Sequence, residues 1–117
     1  MSYFLNFMRV WALSLLTTLG PLQPPVVLLD AVDRHWIALA VSKPPSEHWD
    51  LIEARGRKDP LGAFQSFGQR PWYGYQFWSW IFQGLETNTT YEIQIRALEV
   101  SSGRYSGWVG MTVTTMR

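Results

Sequence analysis

The stretch "LETNTTYEIQIRALEV", from Leu85 to Val100, decides the fold class. Its first half is polar and typical of a turn, and from Thr90 onward apolar and polar side chains alternate. Alternate side chains of a β-strand point to the same face, whereas a helix would need apolar residues three and four positions apart. The run therefore predicts a strand with one buried face, made of Tyr91, Ile93, Ile95 and Ala97.

The remainder of the chain from Pro24 repeats this organisation. Short runs rich in β-branched and aromatic residues are separated by segments with Pro, Gly and Ser, which is the spacing of an all-β sandwich. No run has helical periodicity. The pattern predicts seven strands: Val26–Val32, His35–Val41, Trp49–Gly56, Ala63–Phe67, Gly74–Phe82, Thr90–Val100 and Trp108–Thr115.

A dense aromatic block lies between positions 72 and 82. On a strand, Trp78, Trp80 and Phe82 share one face, which we predict to be core because burying each large apolar side chain is worth about 1.5–3 kcal/mol. Ile81 falls on the opposite face. Other aromatic residues lie on that face or in a segment punctuated by Pro and Gly, and we expect them to be exposed: Trp72, Tyr73, Tyr75 and Phe77.

Composition excludes several classes of function. The 117 residues, 47% of them hydrophobic, suit one small domain. A net charge of +1 without clustered Lys and Arg argues against nucleic-acid binding. The absence of Cys excludes disulfides, zinc-thiolate sites and a thiol nucleophile. No catalytic motif and no metal-ligand spacing is present, so we predict a protein that is not an enzyme and has no metal or cofactor.

The first twenty residues form a separate segment. Arg9 precedes a ten-residue apolar run from Val10 to Leu19, and two prolines follow shortly afterwards. This pattern predicts a signal peptide over 1–20 and a secreted domain over 22–116. The alternative is an additional N-terminal helix or strand that packs on the domain. No apolar run reaches the eighteen residues or so of a membrane span, so none is predicted.

The order of strands and turns resembles a fibronectin type III domain over residues 22–116. The most specific part is Leu85, Thr87 in the place of the family's Pro, Thr89 and Tyr91. The resemblance implies a seven-stranded antiparallel sandwich of immunoglobulin-like type. It also implies that the Tyr91 ring packs at the core edge while its hydroxyl bonds to upstream backbone.

One position departs from that family. Val41 stands where the family has a Trp in its second strand, and Trp36 lies on the other face by parity, so it is no replacement. We expect Trp49 or Trp80 to fill the missing volume.

The segment "YSGWV", residues 105–109, resembles part of the Trp-Ser-x-Trp-Ser motif of class I cytokine receptors. Only Ser106 and Trp108 match its letters. In those receptors the rings of the motif interleave with Arg side chains of the sixth strand through cation–π contacts. The resemblance implies that Arg96 stacks on Trp108 or on Tyr105.

We hypothesise an extracellular protein-binding module of fibronectin type III type that recognises a protein ligand or co-receptor, with a cytokine-receptor-like ectodomain as one form. Tyr and Trp give large rigid contact areas, and Arg adds charged hydrogen bonds. The predicted contact residues are Arg70, Trp72, Tyr73, Tyr75, Phe77, Arg104 and Tyr105.

Other roles stay open. The domain could be a structural spacer or a self-associating adhesion domain of a larger extracellular protein, with its aromatic residues covered by a neighbour. A carbohydrate-binding surface is less favoured, because the aromatic segment lacks neighbouring Asp and Asn. An engineered binding scaffold would also have loops rich in aromatic residues.

The triplet "NTT", Asn88 to Thr90, is an N-glycosylation sequon in the predicted turn before the sixth strand. If the chain is secreted, we expect a glycan on Asn88. The alternative is that Asn88 is a turn residue that tolerates left-handed backbone.

Overall fold

The computed structural model describes residues 20–58, 62–74 and 76–117. The predicted signal peptide lies almost wholly outside the described residues, and so does Tyr75. The described part is all β and contains no helix. Its strands are β1 Val26–Val32, β2 Trp36–Ser42, β3 Leu51–Lys58, β4 Gln65–Pro71, β5 Phe77–Gln83, β6 Thr90–Glu99, β7 Arg104–Tyr105 and β8 Val109–Thr114.

The strands of the described ranges form two antiparallel sheets. One has the order β1-β2-β5, and the other has β4-β3-β6, with β7 and β8 both paired to β6. β7 pairs with the end of β6 and β8 with its beginning, so these two strands share one position in the sheet. The prediction of an all-β sandwich is confirmed. The additional eighth strand, β7, has only two residues, too few to show any periodicity in the sequence.

The boundaries of the fourth and fifth strands differ from the prediction. β4 lies at 65–71 and β5 begins at Phe77, so Arg70 and Pro71 belong to a strand and not to a loop. These two residues pair with Ile52 and Leu51 of β3. The pattern missed them because β4 is mostly polar and its register shifts opposite Ala54 and Arg55, which breaks the alternation.

The core lies between the sheets and follows the predicted alternation. Ile93, Ile95 and Ala97 of β6 are completely buried. From the opposite sheet, Trp80 and Phe82 are buried and their rings stack at 5.2 Å between centroids. Each such side chain stabilises the fold by about 1.5–3 kcal/mol.

The turn before β6 is closed by a side-chain hydrogen bond and by a backbone hydrogen bond. The Tyr91 hydroxyl accepts a hydrogen bond from the Glu86 amide at 2.8 Å. The backbone N–H of Asn88 donates to the Met116 carbonyl at 2.9 Å, and Asn88 has a φ of 50°, in the left-handed region. These contacts tie the turn to the C-terminal segment, and Asn88 itself is exposed.

Trp72 is part of the core, and the expectation that it is exposed is wrong. Its side chain is only 6% exposed, and its ring lies edge to face against Trp49 at 5.1 Å. The Trp72 amide also donates to the Asp50 carbonyl at 2.9 Å. The segment after β4 thus folds over the end of the sandwich, beside the loop that carries Trp49. Both residues expected to fill the core volume, Trp49 and Trp80, are buried.

Candidate interaction surfaces

The predicted contact residues divide between the two outer faces of the sandwich. Phe77 pairs with Ser42 on the outer face of the β1-β2-β5 sheet and is 66% exposed. Tyr105 pairs with Leu98 on the outer face of the other sheet. Tyr73, 73% exposed, lies in the loop between β4 and β5. The predicted residues therefore do not form one continuous patch.

Both predicted arginines are engaged in contacts within the chain. The Arg70 guanidinium lies over the Trp80 ring at 5.3 Å. Arg104 donates to the Glu99 carboxylate at 3.0 Å. Hydrogen bonds from Ser102 and then from Arg104 lower the pKa of Glu99 below its ordinary value of 4.5. Arg104 is thereby held in a local network on the five-stranded sheet.

The outer face of the β1-β2-β5 sheet is apolar and open to solvent. Four large side chains on its outer strands are half or more exposed: Val26 at 52%, Leu28 at 61%, Phe77 at 66% and Ile81 at 50%. The central strand contributes alanines between them, because Leu28 pairs with Ala40, and Ala38 pairs with both Ala31 and Ile81. We call this surface the apolar face; its members are Val26, Leu28, Ala31, Ala38, Ala40, Phe77 and Ile81.

One hydrogen bond to a carboxylate spans the middle of the apolar face, from β5 to β1. Asp30 lies at the register shift of β1, and its carboxylate accepts a hydrogen bond from the Ser79 hydroxyl on β5 at 2.6 Å. Because β2 lies between β1 and β5, this contact passes over the small alanines. Within the described ranges no basic side chain forms an ion pair with Asp30. The face therefore presents an apolar rim around one acceptor.

The outer face of the five-stranded sheet carries a stack of alternating guanidinium groups and rings, which we call the arginine–aromatic ladder. Arg55 lies between Phe64 at 4.3 Å and Trp108 at 4.1 Å. Arg96 lies between Trp108 at 4.5 Å and Tyr105 at 3.9 Å. The members of the ladder are Arg57, Phe64, Arg55, Trp108, Arg96 and Tyr105.

Carboxylates and amides neutralise or bind the cations of this ladder. Arg57 pairs with Glu92 at 2.9 Å, and Arg96 pairs with Glu53. The Arg55 Nε donates to the Gln94 side chain at 2.8 Å. Each arginine of the ladder thus has a hydrogen-bonding or ion-pair partner within the chain, whereas the apolar face exposes large apolar side chains.

Ser106 has a structural role in the part of the chain that resembles the receptor motif. It is buried, and its hydroxyl accepts a hydrogen bond from the Ala97 amide at 2.8 Å and donates to the Gly107 carbonyl at 2.9 Å. The backbone of Ser106 also forms an isolated parallel β-bridge with Leu22. Ser106 therefore joins the end of β6 to the beginning of the domain.

Two negative findings concern only the residues that the structure describes. No group of three or more His, Cys, Asp or Glu side chains is placed to hold a metal ion. No helix there is long and apolar enough to span a membrane.

The sequence missed Val26 and Leu28 as members of the apolar face. The run "VVLLDAV" is apolar at almost every position, so parity could not say which residues point outward. The prediction for Ile81 is correct. Trp80 and Phe82 define the buried face of β5, and Ile81 lies between them in the sequence, so it must point to the opposite face.

No family model and no curated protein matches the chain. Solved structures do. A structure described as a myokine is 15% identical with a TM-score of 0.69, covering 84% of this chain and 100% of that one. The FN1–FN3 domains of chicken CNTN1 are 18% identical with a TM-score of 0.66, covering 84% of this chain and 33% of that one.

A third similar structure is named for the fold. The fibronectin type-III domain of human fibronectin type III domain containing protein 3 is 22% identical with a TM-score of 0.56, covering 83% of this chain and 87% of that one. At these identities the likeness concerns the fold, and it agrees with the sheet order and the Tyr91 turn described above. The chain therefore has the fibronectin type III fold.

Proposed function

We propose that the protein is an extracellular protein-binding module and that the apolar face is its contact surface. The observation that carries the proposal is the exposure of four large side chains around the alanines of β2 on one continuous sheet face. Contiguous apolar surface of this kind is typical of sites that a partner covers. Phe77 is the main anchor, because it is aromatic and is the most exposed of these four side chains, at 66%.

The geometry also defines the chemistry of the partner. An apolar partner surface would bury Leu28, Phe77 and Ile81, and one hydrogen-bond donor or cation would have to reach Asp30. A partner lacking that group would leave the carboxylate desolvated and poorly paired, which costs binding free energy. Tyr73, at the same end of the sheet as Phe77, extends the contact.

Three of the residues predicted from the sequence are not part of this contact. Trp72 is buried, and Tyr105 and Arg104 belong to the opposite outer face. Arg70 lies beside β5 and could contact the edge of a bound partner. The proposed anchors are therefore Phe77, Ile81 and Leu28, with Tyr73 at the margin.

Secretion and glycosylation form the second part of the proposal. The pattern over residues 1–20 supports a cleaved signal, and the exposed Asn88 supports a glycan in the turn before β6. That turn follows the far end of β5, whereas Phe77 lies at its beginning. A glycan there would leave the apolar face uncovered.

Two alternatives have a specific observation in their favour. The apolar face would equally suit a neighbouring domain, as in a spacer or a self-associating adhesion protein. The arginine–aromatic ladder supports a relationship to class I cytokine receptors, because Arg96 lies between Trp108 and Tyr105. Cytokines therefore belong among the candidate ligands.

The test is a binding screen of the full-length chain, secreted from cells, against an array of extracellular proteins that includes cytokines. The Phe77→Ser/Ile81→Ser variant should bind each true partner at least about tenfold more weakly, with a free energy of unfolding within about 0.5 kcal/mol of the wild type. Val100→Ser is the matched control, since Val100 is an exposed apolar residue away from this face. Partners that bind both variants equally would contradict the proposal.

A further inference from the structure

The two sheets differ in width by one strand. The smaller sheet has three strands side by side, and the larger has four positions, because β7 and β8 share the position next to β6. At one side of the sandwich the sheets end together, since β1 contacts β8 across the interior. The additional position of the larger sheet is therefore β4, on the other side.

Side chains of β4 reach toward the edge of the narrower sheet. Phe67 packs on Phe82 with ring centroids 5.0 Å apart, and the Arg70 guanidinium lies over Trp80. Within the described ranges, the only strand paired with β5 is β2. We call the position beside β5 and opposite β4 the open lane.

The free edge of β5 lacks the features that usually prevent strand addition. Its sequence, "FWSWIFQ", has no charged residue and no Pro, and its register to β2 is unbroken over seven residues. The other edge of the same sheet, β1, follows a pair of prolines and contains a register shift. An edge without charge, Pro or bulge offers its backbone donors and acceptors to another strand.

Open space exists at the far end of the lane. A cleft of about 510 Å³ lies between the end of β5 and β4, and its lining includes Gln65, Phe67, Gln83, Leu85 and Tyr91. Phe67, which packs on Phe82, and Gln83, the last residue of β5, both line the cleft. The lane therefore has both an unpaired backbone edge and room for side chains on its inner side.

We propose that an extended segment of a partner protein binds in the open lane as a fourth strand of the smaller sheet. Arg70 defines one position of that segment. Arg70 is an exposed residue. Its guanidinium donates to the Gln69 carbonyl at 2.9 Å and makes no ion pair with a carboxylate in the described part of the chain. The segment should therefore be uncharged except for one inward carboxylate opposite Trp80, with apolar side chains on either side of it.

A second copy of the chain does not fit this lane. Antiparallel pairing of two β5 strands about a two-fold axis would place both larger sheets on the same side. Because each β4 extends one strand beyond β5, each β4 would then occupy the space of the other copy's β3. Addition of a single extended segment has no such conflict, and its main-chain hydrogen bonds supply affinity while alternate side chains supply specificity. This site is the edge of β5 and not the apolar face, so the inference stands independently of the proposed function.

The probe for the experiment is the acetylated and amidated peptide Thr-Val-Thr-Glu-Thr-Val-Thr. It matches the seven residues of β5 and reads the same in both directions, so the result does not depend on strand polarity. Amide hydrogen exchange in the full-length chain, followed by NMR, is the readout. At millimolar peptide, the alternate β5 amides that do not bond to β2 should exchange at least about tenfold more slowly.

Charge exchange provides the specific control. Arg70→Glu should weaken binding of the Glu peptide about tenfold, because it removes one charged hydrogen bond. A second peptide, with Lys in the place of the central Glu, should bind this variant more strongly than the wild type, because it can form such a bond with the new carboxylate. Arg34→Glu makes the same change in net charge at an exposed loop position away from the lane and should leave both peptides unaffected. A peptide with N-methylated backbone amides should not protect β5.

Several results would overturn the proposal. The proposal fails if neither peptide slows exchange in β5, or if the N-methylated peptide slows it equally well. Slow exchange in the free chain that disappears when residues 1–19 are removed would show that this chain's own N-terminal segment occupies the lane. Slow exchange that depends on protein concentration would show that a second copy does.

Discussion

At the residue scale, Trp72 and Trp49 form an edge-to-face pair that closes one end of the sandwich. Neighbouring positions in this loop have opposite environments, because Trp72 is buried whereas Tyr73 is exposed. A large aromatic side chain in a core contributes through its buried area and through its ring contacts. The stability of the domain should therefore depend strongly on Trp72 and weakly on its neighbour.

We expect Trp72→Ala to lower the free energy of unfolding by about 3–5 kcal/mol, because it leaves a cavity against Trp49. Tyr73→Ala is the matched control and should change it by about 0.5 kcal/mol or less. Urea unfolding followed by tryptophan fluorescence and circular dichroism measures both. Equal effects of the two substitutions would mean that Trp72 does not contribute to the core.

Glu99 should make stability depend on pH. Its pKa is lowered in the folded state by the Ser102 and Arg104 hydrogen bonds, so the ionised form stabilises the fold above the ordinary pKa of 4.5. This contribution is lost as the pH falls through the lower, folded-state pKa. Glu99→Gln should therefore lower the melting temperature by a few degrees at neutral pH, and by clearly less at about pH 3. Glu47→Gln controls for the loss of one negative charge, and a difference that is constant with pH would refute the assignment.

At the scale of elements, the arginine–aromatic ladder joins β3, β6, β7 and the segment before β8 across the outer face of one sheet. Each contact is worth about 0.5–2 kcal/mol, depending on how far it is desolvated. Phe64 adds the segment before β4. Since the guanidinium groups are also paired with carboxylates or amides, the ladder links the side chains of five separate segments.

A double-mutant cycle of Arg96→Met and Trp108→Leu tests this coupling. We expect a coupling free energy of about 0.5–2 kcal/mol, because each side chain loses its contact when the other is replaced. The control cycle combines Arg34→Met with Trp108→Leu, which should be additive. Coupling below about 0.3 kcal/mol in the first cycle would mean that the stacked geometry contributes nothing to stability.

Gly110 sets how closely β8 approaches β6. A Cβ at this position would overlap the Ile93 carbonyl oxygen and lie 3.0 Å from the Gln94 Cα, so backbone would have to move. We expect Gly110→Ala to destabilise the domain by about 1–3 kcal/mol, as overpacking does. At Gly107 a Cβ would meet no atom within 4 Å, so Gly107→Ala should be nearly neutral. Thermal unfolding of the two variants compares them, and similar melting temperatures would contradict this reasoning.

At the scale of the whole molecule, the two outer faces of the sandwich differ. On one face the charged side chains have partners within the chain, and on the other large apolar side chains are exposed to solvent. The ladder face pairs its charges internally, whereas the apolar face exposes Leu28, Phe77 and Ile81 around Asp30. The proposed binding function depends on this difference between the two faces. The proposed function also requires that the chain reach the compartment of its partner.

We expect the protein secreted from eukaryotic cells to lack the residues up to about Gly20 and to carry a glycan on Asn88. Intact mass before and after glycosidase treatment measures both. Thr90→Ser keeps the sequon and should keep the glycan, whereas Thr90→Val removes the sequon and should lose it. A product with the full mass of 13.5 kDa and no glycan would contradict both expectations.

The sequence by itself determined the all-β class, the inward faces of β2, β5 and β6, and the outward position of Phe77 and Ile81. These follow from the alternation of side chains along a single strand, which is a local property of the backbone. Tertiary structure alone decided that β4 joins β3 and not β5, that Trp72 is buried, and that Val26 and Leu28 complete the apolar face. Those outcomes depend on which distant strand pairs with the backbone of a given strand, and on which side chains meet across the interior. Because these contacts join residues that are far apart in the sequence, the pattern within a short, polar or uniformly apolar run does not predict them.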